Sequence, residues 1–122
     1  MKEIGFRKLE VWQEAHEFVM MVYQNTVGFP KGEIYGLTLQ IRRAVVSVAA
    51  NIVEGYAYRS DRKFLQYLIV ANGSLSEVEY YLYLSKELGY LNENQYLLLE
   101  EKRAKVGAYL NKFAKAVRNR IN

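Results

Sequence analysis

Gln40, Arg43, Ser47, Asn51 and Glu54 are the residues of this chain best spaced to act together. They follow one another at intervals of three, four, four and three, so a helix places them on one face. Their surroundings decide what such a row does. The stretch from Gln40 to Gly55 is apolar around most of its circumference, which is more apolar surface than one core face requires. The excess points to self-association. A polar stripe in such a helix suits a network inside a bundle or between subunits. Arg43 and Glu54 stand eleven residues apart, ~16 Å along a helix, so their partners must come from other elements. Glu77, one turn beyond Ser74, is the acid expected to pair with Arg42 or Arg43. Such a semi-buried pair fixes register more than it stabilises.

The other candidates for chemistry lack parts. His16 is the sole histidine and is flanked by Glu14 and Glu17. Di-metal bundles need Glu-x-x-His on two helices, and this chain has neither the spacing nor a second histidine. Asp61 is the only aspartate and sits where a helix should begin. Cysteine is absent, which removes disulfides, thiol nucleophiles and thiolate metal sites. Neither a catalytic triad nor a paired-carboxylate template can be assembled. Gly73-Ser74 lies within a helical repeat, and no phosphate-loop pattern is present. The expectation is a non-enzymatic protein without metal or cofactor.

Charge offers a different lead. The chain carries a net charge of +4, yet its last 22 residues hold seven Lys and Arg against one acid. Lys102, Lys105, Lys112 and Lys115 fall on one arc of the last helix, and Arg118 and Arg120 extend past it. Such a patch suits phosphate contacts that are salt-sensitive and weakly sequence-specific. It equally suits a solvated helix end, where cations are favoured. Tyr80, Tyr81 and Tyr83 cluster on one helix, and Tyr56 and Tyr58 end another. Their type serves an oligomer interface better than base stacking.

The elements that must position these residues are helices. At 122 residues the chain makes one domain over 1–122. Pro30 is its only proline, and sparse turn punctuation argues for long helices. No apolar run reaches the ~18 residues of a membrane span. No signal-peptide pattern opens the chain, so a cytoplasmic location is expected. Helix 1 should run from about Lys8 to Thr26, with Leu9, Trp12, Ala15, Val19, Val22 and Thr26 inward. Gly28-Phe29-Pro30 ends it.

Helix 2 should start near Gly32 or Glu33 and reach about Arg59. One seam is Leu37, Ile41, Ala44, Val48, Ile52 and Gly55. A second is Val45, Ala49, Ile52 and Tyr56. Ser60 can cap helix 3, whose Phe64, Leu68, Ala71, Leu75, Val78, Leu82 and Ser85 form a heptad pattern. Gly89 reads as its C-cap. Asn92 and Gln95 read as a capping box for helix 4, with Leu99, Val106, Leu110, Phe113 and Val117 inward. Short connections make neighbours antiparallel. The predicted fold is all-α, an antiparallel up-down-up-down four-helix bundle with helices 2 and 3 each roughly 27 residues long.

These residues together resemble a known family. Helix 1 contributes Phe6, Leu9, Val11-Trp12, Ala15 and Tyr23. The first turn contributes Phe29-Pro30, Glu33, Tyr35-Gly36-Leu37 and Gln40. Arg42-Arg43-Ala44, Ser47, Asn51-Ile52 and Glu54-Gly55 form the most specific part. Ala71, Gly73-Ser74-Leu75, Glu77 and Leu88-Gly89-Tyr90 complete it. The chain resembles the bacterial four-helix-bundle proteins encoded in 23S rRNA intervening sequences. It is distantly similar to the accessory protein of diversity-generating retroelements.

The resemblance implies a homopentameric ring and no enzymatic reaction. It also implies contact with RNA or DNA and with a reverse transcriptase or another nucleic-acid enzyme. In a ring, the helix-2 stripe would either be structural or line a channel for a ligand or RNA phosphate. The chain departs from the family at Ala49, where proline is common. Alanine keeps the backbone hydrogen bond and leaves helix 2 straighter. The expected function is an accessory or scaffold protein that binds nucleic acid through helix 4. The alternative is a protein-interaction scaffold whose charge is incidental.

Overall fold

The computed structural model describes residues 4–121. Four α-helices carry the fold: α1 (Glu10–Thr26), α2 (Leu37–Ala57), α3 (Asp61–Glu87) and α4 (Glu93–Asn119). Two single 3-10 turns precede α1 and α2, at Gly5–Lys8 and Lys31–Glu33. Each helix packs on two neighbours, α1 on α2, α2 on α3, α3 on α4 and α4 on α1. The arrangement is the expected four-helix bundle. None of the four helices is long and apolar enough to cross a membrane.

The caps of α3 and α4 form as expected. Ser60 accepts a hydrogen bond from the Lys63 amide at 3.3 Å. Asn92 and Gln95 exchange both bonds of a capping box, at 3.0 and 2.7 Å. Gly89, at φ +79°, reverses the chain after α3, and the Tyr90 amide donates back to the Ser85 carbonyl. That geometry needs a residue without Cβ.

Helix 2 starts four residues later than expected and spans 21 residues, so α3 and α4, each 27 residues, are the long pair. The cause is Glu33. Its Oε1 accepts from the Leu37 amide at 3.0 Å, serving the helix N-terminus from four residues upstream. Its Oε2 accepts from the Tyr90 hydroxyl at 2.9 Å, tying this corner to the α3–α4 turn. A Cβ on Gly36 would lie 2.5 Å from Glu33 Oε1. The carboxylate therefore occupies the space that glycine leaves open.

The core follows the predicted heptads on α3 and both predicted seams of α2, except that Tyr56 is only half buried. On α1 the buried arc turns by about one position. Val11 and Phe18 are fully enclosed with Ala15 and Val22, whereas Leu9, Trp12 and Val19 are only partly covered. On α4, Leu99, Val106, Leu110 and Val117 are buried, with Phe113 at the margin. Both α2 seams are thus consumed inside one bundle. The surplus apolar surface is a third strip, through Leu39, Val46, Ala50 and Val53, which shares open grooves with Tyr23, Trp12 and Val19 of α1.

Candidate nucleic-acid interface

The up-down topology brings four separate chain segments to one end of the bundle. The start of α1, the end of α2, the start of α3 and the end of α4 meet there. Each brings cations. Arg7 and Lys8 lie on the first 3-10 turn, and Arg59, Arg62 and Lys63 lie at the α2–α3 corner. Lys112, Lys115 and Arg118 come from α4, and Arg120 follows its last residue. Lys8 and Lys112 line one cleft between α1 and α4. Arg62 and Arg118 line another between α3 and α4. Among the described residues the acids at this end are Glu10, Glu54 and Asp61. The positive charge expected of α4 alone is therefore a basic pole built from four chain segments.

The six cations expected to form the phosphate-binding patch do not act alike. Lys102 Nζ lies 2.7 Å from both Glu14 Oε1 and Glu17 Oε2, and its side chain keeps 13% of its exposure. It joins α4 to α1. Those carboxylates hold its ammonium charged against the opposing effect of burial. Glu14 is in turn held below the ordinary carboxylate range, chiefly by its hydrogen bond to Lys102. Lys105 reaches the same carboxylate at 3.4 Å. Arg120 pairs with Asp61 at 3.0 Å. Lys102, Lys105 and Arg120 are thus structural in part, contrary to a uniform phosphate-binding arc. Lys112, Lys115 and Arg118 are exposed and make no ion pair with a described residue.

The stripe on α2 divides as well. Ser47 Oγ and Ser74 Oγ are 2.9 Å apart, and Asn51 Nδ2 donates to the Ser47 carbonyl and hydroxyl at 2.7 and 3.0 Å. These three residues form a hydrogen-bonded network between α2 and α3 of one chain. Gln40, Arg43 and Glu54 are exposed at its margins. The expected Arg–Glu77 pair does not form within the chain. Arg42 Nε donates to Thr26 Oγ1 at 2.9 Å, and its guanidinium lies over the Tyr23 ring at 4.6 Å. Glu77 instead accepts from the Tyr81 hydroxyl one turn away, at 3.4 Å. Arg42 leaves α2 toward α1, whereas Glu77 lies on α3.

His16 stacks on Trp12 with ring centroids 4.8 Å apart, and both flanking glutamates are committed to Lys102. Sequence reasoning missed Arg7, Lys8, Arg59, Arg62 and Lys63 as members of the basic pole. The signal was present in the run from Tyr58 to Lys63, where one tyrosine and three basic residues flank a helix start.

A family model described as 23S rRNA-intervening sequence protein matches residues 7–112. Among curated proteins none matches the chain. A crystal structure of a protein of unknown function from the S23 ribosomal protein family of Bacteroides thetaiotaomicron superimposes with a TM-score of 0.77. It is 24% identical, and the match covers 86% of this chain and 95% of that one. At that identity the superposition speaks for the all-helical fold alone. The family match takes in α1, α2 and α3 whole and α4 as far as Lys112. The chain belongs to the 23S rRNA-intervening sequence protein family.

Proposed function

We propose that this protein is a non-enzymatic homo-oligomer, a pentamer by its family resemblance, that binds nucleic acid through the basic pole. One observation supports the nucleic-acid reading above others: four chain segments converge their cations at one bundle end, and Lys112, Lys115 and Arg118 there make no ion pair with a described residue. Phosphates supply the missing countercharge. Self-association rests on the strip of Leu39, Val46, Ala50 and Val53 beside α1. The groove there is about 700 Å³ and includes Arg42 and Arg43. A second copy would cover this face, as apolar strips of this kind mark interaction surfaces. The nucleic-acid enzyme it would assist, a reverse transcriptase among the candidates, belongs to the same proposal.

The test combines light scattering after size exclusion with anisotropy of a fluorescein-labelled 20-nucleotide RNA across a salt series. Wild type should run as a salt-stable oligomer and bind RNA more weakly as salt rises. Each phosphate contact with a single strand contributes about −0.7 to the slope of log K against log salt. Changing Lys112, Lys115 and Arg118 to Gln together should remove about 2 from that slope and leave the oligomer intact. An unchanged slope and affinity would overturn the nucleic-acid reading. A clean oligomer that binds no RNA at any salt would leave a protein-interaction scaffold.

A further inference from the structure

We infer that the Tyr58 ring is a stacking platform for an unpaired base, so that the basic pole takes single-stranded nucleic acid in preference to duplex. The inference rests on the reading of that pole as a nucleic-acid site. Aromatic residues at the α2–α3 corner fall into two groups. Tyr56, Phe64 and Phe113 turn inward in edge contacts, at 6.0 and 5.5 Å between centroids. Tyr58 turns outward and keeps 47% of its exposure. It leaves α2 on the α3 side, away from the apolar strip of Val46, Ala50 and Val53 beside α1. An interface at that strip would therefore leave Tyr58 uncovered.

Its ring is held in place. Tyr67 stacks against it at 5.5 Å with 23° between planes, and the Tyr67 hydroxyl donates to the Tyr58 hydroxyl at 3.4 Å. Arg59, the next residue, adopts φ +54°, which non-glycine residues seldom take. That left-handed residue makes the turn between α2 and α3 tight and sets Tyr58 at its apex. Strained backbone of this kind persists where surrounding structure demands it and concentrates at functional sites. Lys63 Nζ lies 4.7 Å from the Tyr58 centroid. It sits on an exposed, flexible stem, so an incoming base can displace it toward the flanking phosphate. A duplex end offers no free base face except its terminal pair, whereas a single strand offers one at every nucleotide.

The test uses the full chain with a fluorescein-labelled 12-nucleotide oligouridine and a blunt 12-base-pair RNA duplex. Wild type should bind the single strand more tightly. Tyr58→Ala should weaken single-strand binding about 5- to 10-fold, the low end for a stacked base. Duplex affinity and salt slope should not change. Tyr58→Phe keeps the ring and should bind like wild type. Photo-crosslinking of 5-iodouridine oligomers to the unaltered protein should map to the peptide containing Tyr58, a readout independent of variant folding. Equal loss for single strand and duplex, or a crosslink confined to other peptides, would overturn the inference. Binding to neither nucleic acid would instead refute the pole's assignment itself.

Discussion

Two glycine-to-alanine substitutions should move stability in opposite directions, for reasons that the packing makes explicit. Both Gly55 and Gly107 lie inside helices, where alanine is intrinsically better by about 1 kcal/mol. A Cβ at Gly55 would lie 2.6 Å from Tyr67 Cβ and 3.0 Å from Phe64 Cδ1. Tyr67 Cβ is one bond from the backbone, so no rotamer change relieves the clash. Helices α2 and α3 must separate instead, opening the most closely approached part of the bundle. Overpacking of this kind costs about 1–3 kcal/mol, and more where backbone must shift. The net expectation for Gly55→Ala is a loss of about 1–2 kcal/mol. At Gly107 the nearest atom is Leu75 Cδ2 at 3.4 Å, the far end of a flexible side chain. Gly107→Ala should therefore gain about 0.5–1 kcal/mol. Urea unfolding followed by circular dichroism, at fixed protein concentration because any assembly couples to stability, measures both. Thermal midpoints should part by about 3–5 °C for each kcal/mol in a chain of 122 residues. A Gly55→Ala protein as stable as wild type would refute the close α2–α3 approach.

Lys102→Met should destabilise the fold by about 1–2 kcal/mol, less than a fully buried pair because Glu17 is exposed; chemical denaturation at low and high salt checks this. Glu33 is held below the ordinary carboxylate range, first by the Leu37 amide and then by the Tyr90 hydroxyl. Its contribution is therefore complete above its unfolded pKa of about 4.3 and is lost as pH falls through its lower folded pKa. Glu33→Gln should flatten that acid limb of the stability profile, and thermal melts from pH 2 to 7 would show a limb as steep as wild type if the carboxylate does not cap α2.

Legibility in the sequence followed the range of the interactions. Ser60, Gly89 and the Asn92–Gln95 box act within a few residues, and each falls where spacing alone places it. The seams of α2 and α3 were legible because a helix period needs no knowledge of neighbours. The start of α2 was not, because its capping group is a carboxylate four residues upstream, oriented by Tyr90 from another corner. Val11 and Phe18 were missed because Trp12 and Val19 make an equally good stripe, and only the direction of α2 decides between them. The pairing of Arg42 depended on Thr26 and Tyr23, which lie on the neighbouring helix. Of the candidate site, α4 showed its own charge, but the cations at Arg7 and Arg59 join it only through the topology.

The same topology dictates where this protein can be handled. Residues 4 and 121, the first and last described, lie toward the basic pole with the ends of α1 and α4. An affinity tag or fluorescent fusion at either position would stand over the cations and the Tyr58 corner. A polyhistidine tag would add its own charge to the titration. The turn between α3 and α4 lies at the opposite end, and its Asn92 and Glu93 are exposed. A reporter attached there leaves the basic surface open, provided that the Asn92–Gln95 box is kept.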